Sequence, residues 1–311
     1  MTMSPLQQAS DLAPGSVPGP VPDPARVAAL ATLVEHLSLV QQDTHRFQGS
    51  SIDFIGTQAV FGGQVLGQAL MAAARTVPVH RVHSLHAYFL RPGDKALPID
   101  YVVDRVRDGK GFSMRQVTAL QNDKPIFHLS ASFQQRETGV EHQSPMPAAP
   151  APETLPDEFA QRRRLLPQLP PEMQAVLQQA QPLDIRMVNP PHLLAPVPQE
   201  PQSQCWFRSA AALPDDPLVH QALLAYASDF NFIRVAMQPH GMTFTQPEVQ
   251  CVSLDHAMWF HHDFRFDDWL LYDTESPCAA GARGLCRGQV FTRDGQLVAS
   301  VAQEGLIRKR T

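Results

Sequence analysis

Val252-Ser-Leu-Asp-His-Ala-Met-Trp-Phe260 decides the fold, because an earlier stretch, His83-Ser-Leu-His-Ala-Tyr-Phe-Leu90, answers it. Downstream of each lies a second matched pair, residues 117–134 and 289–304. Ser84 answers Ser253 169 positions later, and Phe133 answers Gln303 170 positions later. A near-constant offset over some fifty residues marks the duplication of one fold unit. Upstream of each stretch comes a helical segment. Val65, Leu66, Ala69, Leu70 and Ala73 keep a 3.6-residue period behind Gly62 and Gly63. The second helix starts at Pro217 with Asp215 or Asp216 as its N-cap, and runs on through Leu218, Ala222 and Leu223.

Strand-like runs follow both helices: 82–89, 99–106, 113–120 and 125–134, then 249–260, 269–276, 284–292 and 297–307. The turns Arg107-Asp-Gly109, Gln121-Asn-Asp-Lys124 and Arg293-Asp-Gly295 suit hairpins. A rather apolar helix ahead of several long antiparallel strands needs burial on most of its surface. A sheet wrapped around it supplies that burial, so the expected fold is α+β, a double hotdog of two antiparallel sheets, each around a central helix. The expected division is a disordered Pro- and Gly-rich tail over 1–25, a first unit over 26–137, a Pro-rich linker over 138–181 and a second unit over 182–311. Within the linker, Arg162-Arg-Arg164 reads as a charged helix end rather than a ligand site.

Composition narrows the function classes. The chain has 311 residues, 43% hydrophobic and 18% charged, with a net charge of -5, which argues against a general nucleic-acid surface. No apolar run approaches the roughly 18 residues that span a bilayer, so no membrane insertion is expected. Cys205, Cys251, Cys278 and Cys286 form no C-x-x-C pair and read as free thiols of a reducing compartment. The start does not read as a secretory signal and the end, Lys309-Arg-Thr311, is no peroxisomal address, so the cytoplasm is expected.

Seven short motifs carry a family resemblance: Phe61-Gly-Gly-Gln64, Arg91-Pro-Gly-Asp94, Tyr226-Ala-Ser-Asp229, Gln238-Pro-His-Gly241, Leu254-Asp-His-Ala-Met-Trp-Phe-His261, Gly281-Ala-Arg-Gly284 and Ala302-Gln-Glu-Gly305. In this order, from about residue 27 to the end, the chain resembles the acyl-CoA thioesterase II family, the TesB-type double-hotdog enzymes. The resemblance implies hydrolysis of medium- to long-chain fatty acyl-CoA to free acid and coenzyme A. It places the catalytic residues at Asp229, Ser253 and Gln303; many members carry Thr where this chain has Ser253.

Those residue types suit the chemistry. A thioester carbonyl is already electrophilic, so the enzyme has mainly to aim a water and stabilise the oxyanion. A carboxylate can act as general base, while a hydroxyl and an amide fix the water. Taken singly, Asp229 reads as a helix cap, Ser253 as an ordinary strand serine and Gln303 as a satisfied core amide; the motif context joins them. In the first unit the aligned positions are Gly63, Ser84 and Phe133, which lack carboxylate and amide, so one active centre per chain is expected. Oxyanion donors are expected at the backbone around Gly63 and Gln64, with Gln303 as a second candidate. His256 is expected to support the site, and Arg283, Arg287 and Arg308 are candidates for the phosphates of coenzyme A. The aromatic residues Trp259, Phe260, Trp269 and Tyr272 read as core.

No metal or cofactor is called for. His80, His83 and His86 do not share one strand face, and Asp255-His256 with His261-His262 lacks a third-ligand pattern. No Gly-x-Ser-x-Gly elbow occurs. Two other readings stay open: an enoyl-CoA hydratase or dehydratase using Asp255 and His256, and a non-catalytic acyl-CoA binding module. Because hotdog units pair through their sheets, a homodimer or homotetramer is expected.

Overall fold

Residues 62–74 present apolar side chains on every side and only two glutamines, so a helix here has no face to offer to water. The computed structural model, which describes residues 23–168, 171–190, 196–244 and 246–310, buries this helix from Gly63 to Ala73 without a gap. In chain order the elements are α1 (Pro24–Leu37), β1 (Val40–Gln41), β2 (Arg46–Gly49), α2 (Gly62–Ala74), β3 (Arg81–Phe89), β4 (Ile99–Asp108), β5 (Phe112–Gln121) and β6 (Lys124–Gln134). Then follow α3 (Glu158–Arg163), α4 (Pro171–Gln178), β7 (Leu183–Met187), β8 (Gln202–Ser209), α5 (Pro217–Ser228) and α6 (Arg234–Met237). The chain ends with β9 (Val249–Ser253), β10 (Asp255–Phe260), β11 (Leu270–Ala280), β12 (Arg283–Thr292) and β13 (Leu297–Lys309). Most of the tail expected over 1–25 lies outside the described residues, and α1 begins at Pro24, capped by the Asp23 carboxylate.

The strands form one antiparallel sheet in the order β1-β2-β4-β5-β6-β3-β10-β13-β12-β11-β8-β7, with β9 beside β13. Read outward from the β3–β10 seam, both halves repeat the same connectivity, which is the duplication expected from the sequence. The architecture is the double hotdog. Hairpins close where the backbone can turn left-handed, at Asn122 and Asp123 between β5 and β6 and at Gly281 and Ala282 between β11 and β12.

The two central helices run antiparallel inside the sheet. Gly63 faces the Tyr226 carbonyl and Gly67 the Ala222 carbonyl, so the backbones touch where side chains are missing. α5 starts at Pro217 with Asp216, not Asp215, accepting from the Leu218 N–H. It stops at Ser228, Asn231 turns left-handed (φ 59°), and α6 resumes against β11 and β12. Asp229 therefore sits at a break in the helix. α1, which the repeat does not reveal, lays Leu30, Leu33 and Leu37 into the core, each worth about 1.5–3 kcal/mol.

The run expected as one strand over 249–260 is broken at Leu254. Between the pairs Ser253–Gly305 and Ala257–Ala302, this strand spends one residue more than β13. That bulge matters for the site. In a regular strand Ser253 and His256 would point to opposite faces; the extra residue lets both face inward. The first unit also carries a bulge in the corresponding strand, between Val82 and Ser84.

The linker is a cover. Met146, Ala149 and Leu155 pack on Trp206, Trp269, Leu271, Phe291 and Leu297, and the Trp206 indole donates to the Pro150 carbonyl at 2.8 Å. Arg162 lies in the last turn of α3 and pairs with Glu158. Of the aromatic residues expected in the core, Phe260, Trp269 and Tyr272 are buried. Trp259 is not: it lies on the outer face, edge-on to His86, because β10 alternates and places Met258 and Phe260 inside. Among the described residues no helix is long and apolar enough to cross a membrane.

Candidate active site

Three elements deliver three side chains to one point. The break after α5 supplies Asp229, the end of β9 supplies Ser253 and an inward position of β13 supplies Gln303. The Gln303 amide nitrogen donates to Asp229 Oδ1 and to Ser253 Oγ, both at 2.8 Å. Ser253 Oγ lies 3.5 Å from the same Oδ1, a marginal bond. Gln303 is fully buried, whereas Asp229 and Ser253 are half-buried. The trio thus has a dry back and an accessible front.

The other carboxylate oxygen, Asp229 Oδ2, turns toward the first unit. A Cβ on Gly62 would come within 2.7 Å of it and within 2.9 Å of the Phe89 ring, so only glycine leaves room there. Gly62 opens α2, whose first N–H groups have no intrahelical acceptor, and the N-cap Phe61 supplies no side-chain cap. The positive end of the α2 dipole therefore faces the carboxylate across a gap that both repeats build. Phe61, edge-on to Tyr226 at 5.2 Å, and Phe89 give the gap apolar walls.

Behind Gln303 lies His256, wholly buried. Its Nδ1 is 2.7 Å from Gln303 Oε1 and its Nε2 is 3.0 Å from Ser228 Oγ. Burial depresses the His256 pKa below its ordinary value of 6.5, and burial acts in the same direction on His220, so both resist charging. The sign follows. Below about pH 6.5 the unfolded chain takes up protons that the folded one refuses, so stability is full above that pH and is lost as pH falls. Denaturant melts at about pH 7.5 and 5.5 are expected to show lower stability at the acid pH; equal stability would contradict it.

The remaining sequence candidates fall in different places. The Gln64 side chain turns away from Asp229, accepting from the Ile52 N–H at 2.9 Å and donating to the Ser50 carbonyl; it anchors the loop before α2. Gly63 packs on Tyr226. Arg283 and Arg287 pair with Glu304 and Glu275 on the outer face, while Arg308 has no ion pair among the described residues. Asp255, beside His256 in sequence, points the other way and accepts from the Glu304 N–H at 2.7 Å, so the two do not form an acid–base pair. His80 and His83 bond Ser113 and Ser132, and His86 meets Trp259. Ser228 and Phe89 went unassigned in the sequence, although Ser228 stands next to Asp229 in the Tyr226-Ala-Ser-Asp229 motif.

The family model for acyl-CoA thioesterase matches residues 177–306, and the one for the acyl-CoA thioesterase N-terminal domain matches 49–134. The chain is 42% identical over 282 residues to acyl-CoA thioesterase 2 of Haemophilus influenzae, covering 90% of this chain and 98% of that one. It belongs to the acyl-CoA thioesterase family. This thioesterase is also 41% identical to acyl-coenzyme A thioesterase 8 of Homo sapiens over 292 residues, 90% of this chain and 89% of that one. The crystal structure of an acyl-CoA thioesterase II, TesB2, from Mycobacterium marinum superposes with a TM-score of 0.73 at 43% identity, covering 90% and 99% of the two chains. A hotdog-fold protein from Alicyclobacillus acidocaldarius shares the fold at a TM-score of 0.73 and 18% identity, again over 90% and 99%.

Proposed function

We propose that this thioesterase hydrolyses medium- to long-chain fatty acyl-CoA by direct attack of one water held at Asp229, Ser253 and Gln303. The observation that carries the reading is the convergence of the Gln303 amide on both Asp229 Oδ1 and Ser253 Oγ. With Oδ1 occupied, Oδ2 is the basic oxygen, and it faces the gap below α2. Ser253 accepts from Gln303 and keeps its own hydrogen and a lone pair for the water. The water oxygen bonds to the thioester carbon as its proton passes to Asp229. Collapse of the tetrahedral adduct breaks the C–S bond, and the thiolate of coenzyme A takes the proton.

The oxyanion requires donors, and both Gln303 amide hydrogens are committed. The role passes to the α2 N-terminus at Gly62 and Gly63, where one good donor is worth roughly 3–4 kcal/mol. The site then belongs to both repeats: the base in the second unit, the oxyanion hole in the first. Thiol release from acyl-CoAs of graded chain length tests the function. Release that rises with medium and long chains supports it, and no release at any length overturns it.

Arg308, Lys309 and Arg310 lie together with Gln250 on an open stretch of surface, and none has an ion pair among the described residues. On this reading they receive the phosphates of coenzyme A. Five residues of β13 separate Gln303 from Arg308, about 17 Å at strand rise, close to the ~16 Å of an extended pantetheine arm of thirteen single-bond steps. Alanine at all three is expected to raise KM for acyl-CoA about tenfold or more while sparing an acyl-pantetheine that lacks the nucleotide. An equal loss on both substrates would contradict this. The reading also includes a cytoplasmic homodimer or homotetramer, supported by the free thiols and by Tyr88 and Trp259 exposed on the outer sheet face.

A further inference from the structure

Asp229 Oδ1 can only accept, so the end of Gln303 that faces it is the amino group, and Oε1 faces backward to His256 Nδ1. An amide oxygen also only accepts. The proton on the His256 ring must therefore sit on Nδ1, which leaves Nε2 of the neutral ring as an acceptor. Ser228 Oγ lies 3.0 Å from Nε2 and 2.9 Å from the Ala225 carbonyl, so its one hydrogen has two acceptors to serve. From the ring onward each bond thus runs the same way: His256 to Gln303, then Gln303 to Asp229 and Ser253. Tyr272 holds the far end, donating to the Ser228 carbonyl at 3.1 Å.

We infer that His256 is a positioning residue, which holds the Gln303 amide in the one orientation that serves both Asp229 and Ser253. It touches neither water nor substrate, being wholly enclosed. Without it, Gln303 Oε1 is a buried acceptor with no partner, and turning the amide to find one aims oxygen at the carboxylate. The depressed basicity of the ring agrees, since a neutral imidazole keeps a single Nδ1–H tautomer. The inference rests on the proposed catalytic reading of Asp229, Ser253 and Gln303.

The experiment compares His256→Ala, His256→Asn and Asp229→Asn by kcat, KM and thermal melting. Asn can place its amide N–H where Nδ1–H lies; Ala cannot. His256→Ala is expected to lower kcat about 10–100-fold, the range seen when the hydrogen-bond partner orienting a metal ligand is removed. KM should change little, and His256→Asn should recover most of the rate. If Asp229→Asn is inactive while His256→Ala has the wild-type kcat, or while Asn rescues nothing in a folded protein, the inference falls and the base assignment stands. If Asp229→Asn is active, the catalytic reading itself falls. Should the His256 variants fail to fold, nitrogen-15 shifts of the imidazole in the intact wild-type protein decide. They are expected to report a neutral ring protonated at Nδ1, and protonation at Nε2 alone overturns the inference.

Discussion

Asp229→Asn is expected to leave the protein folded and to lower kcat by about 10²–10⁴-fold, the range a positioned general base contributes. At 1.36 kcal/mol per tenfold that is about 3–5 kcal/mol of barrier. The substitution is close to isosteric. The new amide can still offer its oxygen to Gln303, so the bond now made by Oδ1 survives, while the oxygen that faces Gly62 becomes a nitrogen unable to take a proton. KM is expected to move little, because on the proposed reading the carboxylate meets the water rather than the acyl chain. Asp229 is only half-buried, so its loss does not empty the core, and the melting curve should stay within a degree or two. A near-normal rate would remove Asp229 from the role of base.

Gly63→Ala carries the largest expected effect on stability. In an exposed helix the change gains about 0.8–1 kcal/mol of propensity. Here the new Cβ would stand 2.2 Å from the Tyr226 carbonyl oxygen and 2.6 Å from the Phe61 ring. A backbone carbonyl cannot swing aside, so α2 and α5 must separate. Overpacking of this kind costs about 3 kcal/mol or more once the helices move, and crowding wins over propensity. Activity should fall as well, since the same shift lifts the α2 N-terminus off the gap. Gly305→Ala is the contrasting case, because its Cβ would meet only side-chain atoms of Ile233, Cδ1 at 2.0 Å and Cγ1 and Cγ2 at 3.0 Å, and no backbone. Denaturant melts measure both. A Gly63→Ala protein within about 0.5 kcal/mol of wild type would contradict the close packing of the two helices.

The sequence disclosed the architecture because duplication writes every signal twice. The alternation in 125–134 returns in 297–307, and each half closes its hairpins with the turn residues its geometry demands. The same repeat isolates Gln303: its partner Phe133 is an ordinary core residue, so an amide at a fully buried position asks for a reason. What lies outside the repeat was harder to read. α1 has no matching sequence ahead of the second unit, although Leu30, Leu33 and Leu37 keep a helical spacing. The bulge at Leu254 leaves no residue signature, since leucine fits a strand and a bulge equally well, yet it decides which way Ser253 points. Charge was the least legible. Arg283, Arg287 and Arg308 look alike in the chain, and only the folded sheet brings Glu304 and Glu275 to the first two. Gln64 and Gln303 are both buried amides near the site, and their difference lies in what each faces, a loop backbone for one and a carboxylate for the other.

The central claim is that carboxylate, hydroxyl and amide act as a unit on one water, and a double-mutant cycle tests it most directly. Groups that act as a unit are grossly non-additive when removed together. Turnover of Asp229→Asn, Gln303→Ala and the double variant should therefore be measured on one acyl-CoA. The account predicts that the double variant loses no more than about the larger of the two single losses. Losses that multiply would show Asp229 and Gln303 working independently, and would contradict it.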